Sequence, residues 1–296
     1  MTTATIDNKV KQVVSNIRNL PTPPIVFHQI QKVINDPNCS AAQVASILSE
    51  DPAMSVKVLK LTNSAFYGLA REIDSVRQAV VIVGMEAVKN LVLSASVLDM
   101  FKGDSVDQEF QEQYWRHSLA TAYCCRILAQ RIKSRGMVDH DAAFSAGLLH
   151  DVGKMILTSF LKEEHEILTQ ARATDNATTD CELEEKSLGF NHAQIGGFLT
   201  SQWKLPQKLS EAIAFHHHPQ LVDTDDGPLV FLVWLADYLA KKTFYDDGDT
   251  ARVGAVDPDV LEYLAVSEED LEQFSGVLRE EYLKAETFLQ MAGLGG

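Results

Sequence analysis

Apolar residues recur at three- and four-residue spacing along most of the chain, and no long stretch alternates with the two-residue period of a half-buried strand. The pattern predicts an all-α protein. Residues 6–18 form a weakly amphipathic helix, and Pro21, Pro23 and Pro24 then break the chain. Pro24 opens a second helix whose apolar positions are Ile25, Ile30, Val33 and Ile34. Ser40 and Gln43 make a capping box for residues 41–49. Asp51-Pro52 reads as an N-cap with proline in the first turn, leading a helix that carries Met54, Val58 and Leu61. Ser75 caps a further helix to Val83, and Gly84 ends it; residues 79–83 are β-branched enough to leave a strand open there. Met85–Met100 follows, with Val88, Leu91, Val92, Ala95 and Leu98 as its apolar stripe.

The second half keeps the same period. Residues 109–131 pack through Phe110, Tyr114, Ala120, Cys124 and Leu128, with His117 on or beside that stripe. Small and apolar residues over 142–149 predict a helix buried on most sides. It runs into Gly147-Leu148-Leu149-His150-Asp151-Val152-Gly153-Lys154, where Gly153 can close the helix, and Met155-Ile156-Leu157 open the next. Residues 162–166 read as a solvated face that leaves His165 uninvolved, and residues 173–180 as a polar loop. Asn191 caps a helix with Ile195, Leu199 and Trp203 inward and His192 in its first turn. Pro206 opens another through Leu209 and Ile213, and its inward stripe extends to His216 or His217. Residues 229–239 are almost wholly apolar except for Asp237. Residues 256–264 and 267–291 read as helices, the second able to pack on the body or to self-associate. The polar stretch 102–107 reads as a connection between lobes. The expected organisation is an N-terminal helical lobe over 15–105, a second helical lobe over 106–243 and a C-terminal helical extension over 244–296.

Composition narrows this only a little. A chain of 296 residues, 46% hydrophobic and 23% charged, is ordinary globular protein of a length that favours two lobes. No apolar run reaches the length that crosses a bilayer, and the first residues lack a basic region followed by a hydrophobic core, so a soluble, unexported protein is expected. A net charge of −15 argues against a general nucleic-acid surface. Cys39, Cys124, Cys125 and Cys181 show no CxxC spacing; Cys124 and Cys125 read as small core residues, and scattered thiols suit a reducing cytoplasm.

The chemistry lies in a recurring anomaly. His117, His150, Asp151, His192, His216, His217 and Asp237 each end or interrupt an apolar face, and the faces belong to different helices. Taken alone, His150-Asp151 reads as a solvated helix end rather than a metal site, and His117 as a hydrogen-bonded core histidine rather than a ligand. Taken together, buried carboxylates require a cation or a set of donors. Imidazole and carboxylate groups suit Fe, Mn, Zn or Ni ions. Seven such groups exceed the needs of one ion, whereas two ions bridged by a carboxylate such as Asp151 would use them. A two-metal centre can generate hydroxide at neutral pH and clamp the oxygens of a phosphoryl displacement. Lys154 can add positive charge beside a leaving phosphate, or serve as a surface lysine at a helix start. His28 reads as a surface or packing histidine. Asn63, Ser64, Phe66 and Tyr67 fit either a groove lining or a tight turn. The run Asp246-Asp247-Gly248-Asp249 lacks the full pattern of a calcium loop and reads as solvated.

The ordered set His117, His150-Asp151, Asp237 resembles the HD superfamily of metal-dependent phosphohydrolases. With Lys154, His192 and His216-His217 it is similar to the binuclear HD-GYP branch. The wider chain resembles the HDOD family through Leu20-Pro21-Thr22-Pro23-Pro24, Asp51-Pro52-Ala53-Met54-Ser55, Leu61-Thr62-Asn63-Ser64-Ala65-Phe66-Tyr67-Gly68, Trp203-Lys204-Leu205-Pro206 and His216-His217-His218-Pro219. That resemblance spans roughly residues 15–240. It implies a two-lobed all-α HDOD fold with an HD-type core in the second lobe, and a cytoplasmic bacterial protein of signalling or regulation. Many HDOD proteins have lost the ligands and act as interaction modules; this chain keeps the matching positions. Nothing after Pro219 resembles a Gly-Tyr-Pro loop, which argues against cyclic di-GMP hydrolysis, and Gln113 stands where a carboxylate would support a third ion. The expectation is two divalent transition-metal ions, iron or manganese before zinc or nickel. His117, His150, Asp151 and Asp237 would hold one, His192, His216 and His217 would complete the second, and Asp151 and Lys154 would carry catalysis. The substrate would be a phosphoester or nucleotide. The alternative is a non-catalytic scaffold or sensor that acts through a signalling partner protein, with no membrane or nucleic acid involved.

Overall fold

The computed structural model describes residues 3–64, 67–101, 107–132, 138–222, 227–244, 253 and 255–292, and among them the side chains of residues 8–280. Residues 102–106 of the expected linker at 102–107, Phe66 and the acidic run 246–249 lie outside the described residues. The helices in chain order are α1 (Thr3–Ser15), α2 (Ile25–Ile34), α3 (Ala41–Ser49), α4 (Pro52–Thr62), α5 (Val76–Val83), α6 (Met85–Met100), α7 (Gln108–Arg131) and α8 (His140–Leu149). They continue with α9 (Val152–Phe160), α10 (Lys162–Thr174), α11 (Asp180–Leu188), α12 (His192–Gln202), α13 (Gln207–Phe215), α14 (Pro228–Phe244), α15 (Pro258–Leu264) and α16 (Glu268–Ala292). The described residues contain no strand, so the fold is all-α.

The chain divides into two compact units. One gathers Pro21–Asp104 and Gln108–Arg116 with the last turns of α16. Local signals fix its helix ends. Ser40 and Gln43 cap α3 reciprocally, and Asp51 Oδ1 accepts from the Met54 N–H at 2.9 Å to start α4. Such caps contribute about 0.5–2 kcal/mol each. Residues 79–83 are helical in α5, because Ser75 accepts from the Gln78 N–H and Gly84, at φ +95°, turns the chain into α6. The inward face of α2 differs from expectation: Val26, Phe27 and Ile30 are buried and Ile25 is 77% exposed. Placing the bulky Phe27 in the core turns Ile25, two positions earlier, to solvent. Asn63 clips a turn shut, donating to the Ile73 carbonyl and accepting from the Ile73 N–H, both at 2.7 Å. That occupies the side chain and favours the tight-turn role.

The other unit gathers Met1–Leu20 and His117–Arg279. Its helix α8 is buried almost all round, as its small and apolar composition requires. A Cβ on Gly147 would stand 2.7 Å from Ala122 Cα, so α8 lies tight against α7. Helix α12 packs on α1, α9, α11 and α13. Gly153 does not end a helix. It sits inside α9, where a Cβ would fall 1.9 Å from the His192 carbonyl oxygen. Glycine is required there by the approach of two backbones. Gly196 and Gly197 likewise let α12 approach α13, where a Cβ would fall 2.8 Å from Ile213 Cγ2 and 2.4 Å from Ala214 Cβ. Helix α11 occupies residues expected to be loop or left unassigned, and Thr179 with Glu182 caps it. Among the described residues, no single helix is long and apolar enough to cross a membrane.

Candidate metal centre

All seven anticipated ligands belong to the unit containing α8–α15, and the fold brings them together. His117 projects from α7. His150 and Asp151 occupy the break between α8 and α9, and His192 is the first residue of α12. His216 and His217 follow α13, and Asp237 lies three turns into α14. His150, His192 and His216 are fully buried, and Asp151 is 1% exposed. A cluster of ionisable side chains is therefore largely withdrawn from solvent.

Asp151 is the hub. Its Oδ1 lies 2.9 Å from His192 Nε2 and 3.7 Å from His216 Nε2. Its Oδ2 lies 3.4 Å from His150 Nε2 and 3.6 Å from His117 Nε2. His117 Nε2 also approaches Asp237 Oδ1 at 3.0 Å and His150 Nε2 at 3.2 Å, while His217 Nε2 is 3.0 Å from His192 Nε2. The donors fall into two groups that share Asp151: one with His192, His216 and His217, the other with His117 and His150. His150, His216 and Asp237 make a further overlapping set.

The outer ring nitrogens are already committed. His150 Nδ1 donates to the Gly147 carbonyl at 2.7 Å and His216 Nδ1 to the Ile213 carbonyl at 2.8 Å. These bonds aim both Nε2 atoms inward. Asp151 Oδ1, Asp237 Oδ1 and His216 Nε2 are buried and have no hydrogen-bond partner. Orphaned buried acceptors are costly and rare. Lone pairs converging from imidazoles and carboxylates are satisfied by a positive ion, and these donor types fit divalent transition metals.

Electrostatics agree. Burial pushes the His216 imidazole down to about 4, and with His216 and His192 beside it holds His217 well below its ordinary value. Burial likewise lowers His117, against the pull of Asp237. For His150 burial is outweighed by Asp151 and Asp237, which raise it to about 9. Burial opposes ionisation of Asp151, but His150, Lys154 and His192 hold it well below the carboxylate range; Lys241, His117 and His150 do the same for Asp237. For His192, too, burial is outweighed by Glu184 and Asp151, which raise it. The pocket thus pairs two carboxylates with three imidazoles that resist protonation, His117, His216 and His217, and two that favour it, His150 and His192.

Three residues that the sequence reading passed over complete the surroundings. Glu184 Oε2 accepts from His192 Nδ1 at 2.6 Å and from the His192 backbone N–H at 2.7 Å, fixing the ring with Nε2 toward Asp151. Lys241 Nζ donates to Asp237 Oδ2 at 2.6 Å, leaving Oδ1 for the pocket. Asp180 lies 3.6 Å from Lys154 and 2.7 Å from Arg172. Lys154 Nζ itself is 2.9 Å from Asp151 Oδ2. Lys241, one turn after Asp237, and the Thr179–Glu182 capping box were both legible in the sequence.

The family model for the HDOD domain matches residues 20–219. Over 238 residues the chain is 27% identical to an uncharacterized protein of Treponema pallidum, covering 80% of this chain and 45% of that one. The chain thus spans about half the length of the curated relative it matches. Among solved structures it is similar to an HDOD domain protein of unknown function from Geobacter sulfurreducens, with TM-score 0.79, 24% identity and 99% of each chain covered. It is also similar to a Shewanella amazonensis protein named "Putative phosphohydrolase", with TM-score 0.73, 23% identity, and coverage of 97% of this chain and 98% of that one. At these identities the likenesses concern the fold.

Proposed function

The chain belongs to the HDOD family, and on that premise we propose that it is a metal-dependent phosphohydrolase acting on a phosphoester or nucleotide. The observation that carries the reading is Asp151, a buried carboxylate whose two oxygens face two separate groups of imidazole nitrogens. His117, His150 and Asp237 would hold one divalent ion, and His192, His216 and His217 the other, with Asp151 shared. When bound, such a pair supplies a hydroxide at neutral pH and positive charge for the phosphoryl oxygens.

The chain's own groups have distinct tasks in this reading. Glu184 and the Gly147 and Ile213 carbonyls hold the ring orientations, so that little reorganisation accompanies binding. Lys241 keeps Asp237 ionised and directed inward. Lys154, only 16% exposed at its side chain, holds a positive charge beside Asp151 and Asp180, suited to orient a phosphate oxygen. The name of the Shewanella amazonensis relative supports the reaction class.

The test is elemental analysis of chelator-free protein beside Asp151→Ala, with phosphodiesterase and nucleotidase assays on both. About two transition-metal equivalents and a hydrolytic activity, both absent from a folded Asp151→Ala, are expected. Activity that survives in that variant sinks the reading. Metal without turnover on any phosphoester would favour the sensor that acts through a partner.

A further inference from the structure

A second set of metal-competent donors lies outside the centre just described. Cys181 and Glu185 stand one turn apart on α11, and His218, the residue after His217, reaches them. Cys181 Sγ is 3.6 Å from Glu185 Oε1 and 3.8 Å from His218 Nε2, and His218 Nε2 is 2.8 Å from Glu185 Oε1. Asn191 Nδ2 donates to Glu185 Oε1 at 2.7 Å and to Cys181 Sγ at 3.3 Å, so both acceptors are held in place. Asn191 is itself fixed, because its Oδ1 caps α12 by accepting from the Gln194 N–H.

We infer that Cys181, Glu185 and His218 form a second, independent metal site for one borderline-soft divalent ion, zinc by its chemistry. Around a four-coordinate zinc, donors at about 2.0–2.3 Å lie ~3.3–3.8 Å apart. Both distances to the Cys181 sulfur fall in that range, and the pair His218–Glu185 must open by only about half an ångström to join them. Thiolate, imidazole and carboxylate together favour zinc over the harder ions suited to nitrogen and oxygen alone. The fourth position has a route to solvent. Cys181 is buried, but the side chains of His218 and Glu185 are 31% and 38% exposed, and His218 borders a cavity of about 770 Å³ whose walls include Gln194, Phe198, Phe215 and Leu221. Binding replaces the Cys181 thiol proton, which leaves to solvent, by the metal. An ion here ties α11 to the segment carrying His217, and α11 also carries Glu184, which orients His192.

The site is tested with cadmium, whose thiolate complexes absorb in the near ultraviolet, added to the chelator-stripped full chain. The expected result is a charge-transfer band with the final intensity of one cadmium–thiolate bond, reached at one equivalent in Asp151→Ala, where the first centre no longer competes for the ion. It should vanish in Cys181→Ser, persist in Asp151→Ala, and require at least about tenfold more cadmium in His218→Ala, on the scale of lost metal-site partners. No band in the unmodified chain, or a band that survives Cys181→Ser, overturns the assignment, as does unchanged affinity in His218→Ala. A band lost in Asp151→Ala would merge the two sites and overturn their independence. Because Asp151→Ala abolishes the first centre only, failure of the phosphohydrolase reading and failure of this one are separately visible.

Discussion

Glu184 grips His192 twice, at the backbone N–H and at ring Nδ1, so the Nε2 of that ring has one direction left, toward Asp151 Oδ1 at 2.9 Å. A carboxylate behind a ligating imidazole fixes its tautomer and strengthens it as a donor. Glu184→Gln should therefore lower metal affinity about 10–100-fold while leaving helical content intact. Isothermal titration with manganese on both proteins measures it, and equal affinity would remove Glu184 from the centre.

Protons and metal ions compete for the same lone pairs. Asp151 and Asp237 overcome burial to raise His150 to about 9, so this ring is protonated at neutral pH until an ion displaces the proton. The sign follows: affinity rises with pH up to about 9 and levels off above it. The slope below that point is at least about tenfold per pH unit, because His150 releases one proton and His192, which Glu184 and Asp151 raise against burial, adds to the release. Titrations in buffers of different ionisation enthalpy count the proton, and a flat pH profile between 6 and 9 would contradict it.

Gly153→Ala would place a methyl group against the His192 carbonyl, with backbone on both sides and nothing flexible to give way. We expect a loss of about 1–3 kcal/mol or more in urea denaturation, as for overpacked cores, together with weakened metal uptake. Gly276→Ala in α16 is the control: a Cβ there meets nothing within 4 Å, and removing a helical glycine stabilises by up to about 1 kcal/mol.

Acid should release one specific strut. Burial opposes the charge of Asp180, but Lys154, Lys241 and Arg172 hold its carboxyl down to about 2. In the unfolded chain it titrates near ~3.9. A depressed carboxylate stabilises the fold above its unfolded pKa, and that contribution disappears as pH falls through the folded one. The stability gap between the unmodified protein and Asp180→Asn should therefore be full above about pH 4 and vanish below about pH 2. Urea midpoints across that window report it.

Much of the architecture was legible because it is written in local signals. The capping residues Ser40, Asp51, Ser75 and Asn191 all act as read, and the candidate ligands stood out because polar residues broke otherwise apolar faces. Less legible were features that depend on contacts between distant segments. Gly153 reads as a helix stop until α12 is seen pressed against it. Ile25 reads as core until Phe27 takes the inward place. Helix α11 is short and strongly charged, so its apolar period is faint, and with it went Glu184 and Cys181. Its capping box was the one signal that could have recovered them.

The glycines of α9 and α12 carry a consequence for how this centre can diversify. Where Gly153 meets His192, and where Gly197 meets Ala214, spacing is set by main chain and a methyl group rather than by large side chains that could be exchanged. The anchor points of Asp151 and His192 are therefore locked to one another like the jaws of a fixed-gauge wrench. Side chains mounted on those jaws, and the loops around them, can change while the gap between them stays the same.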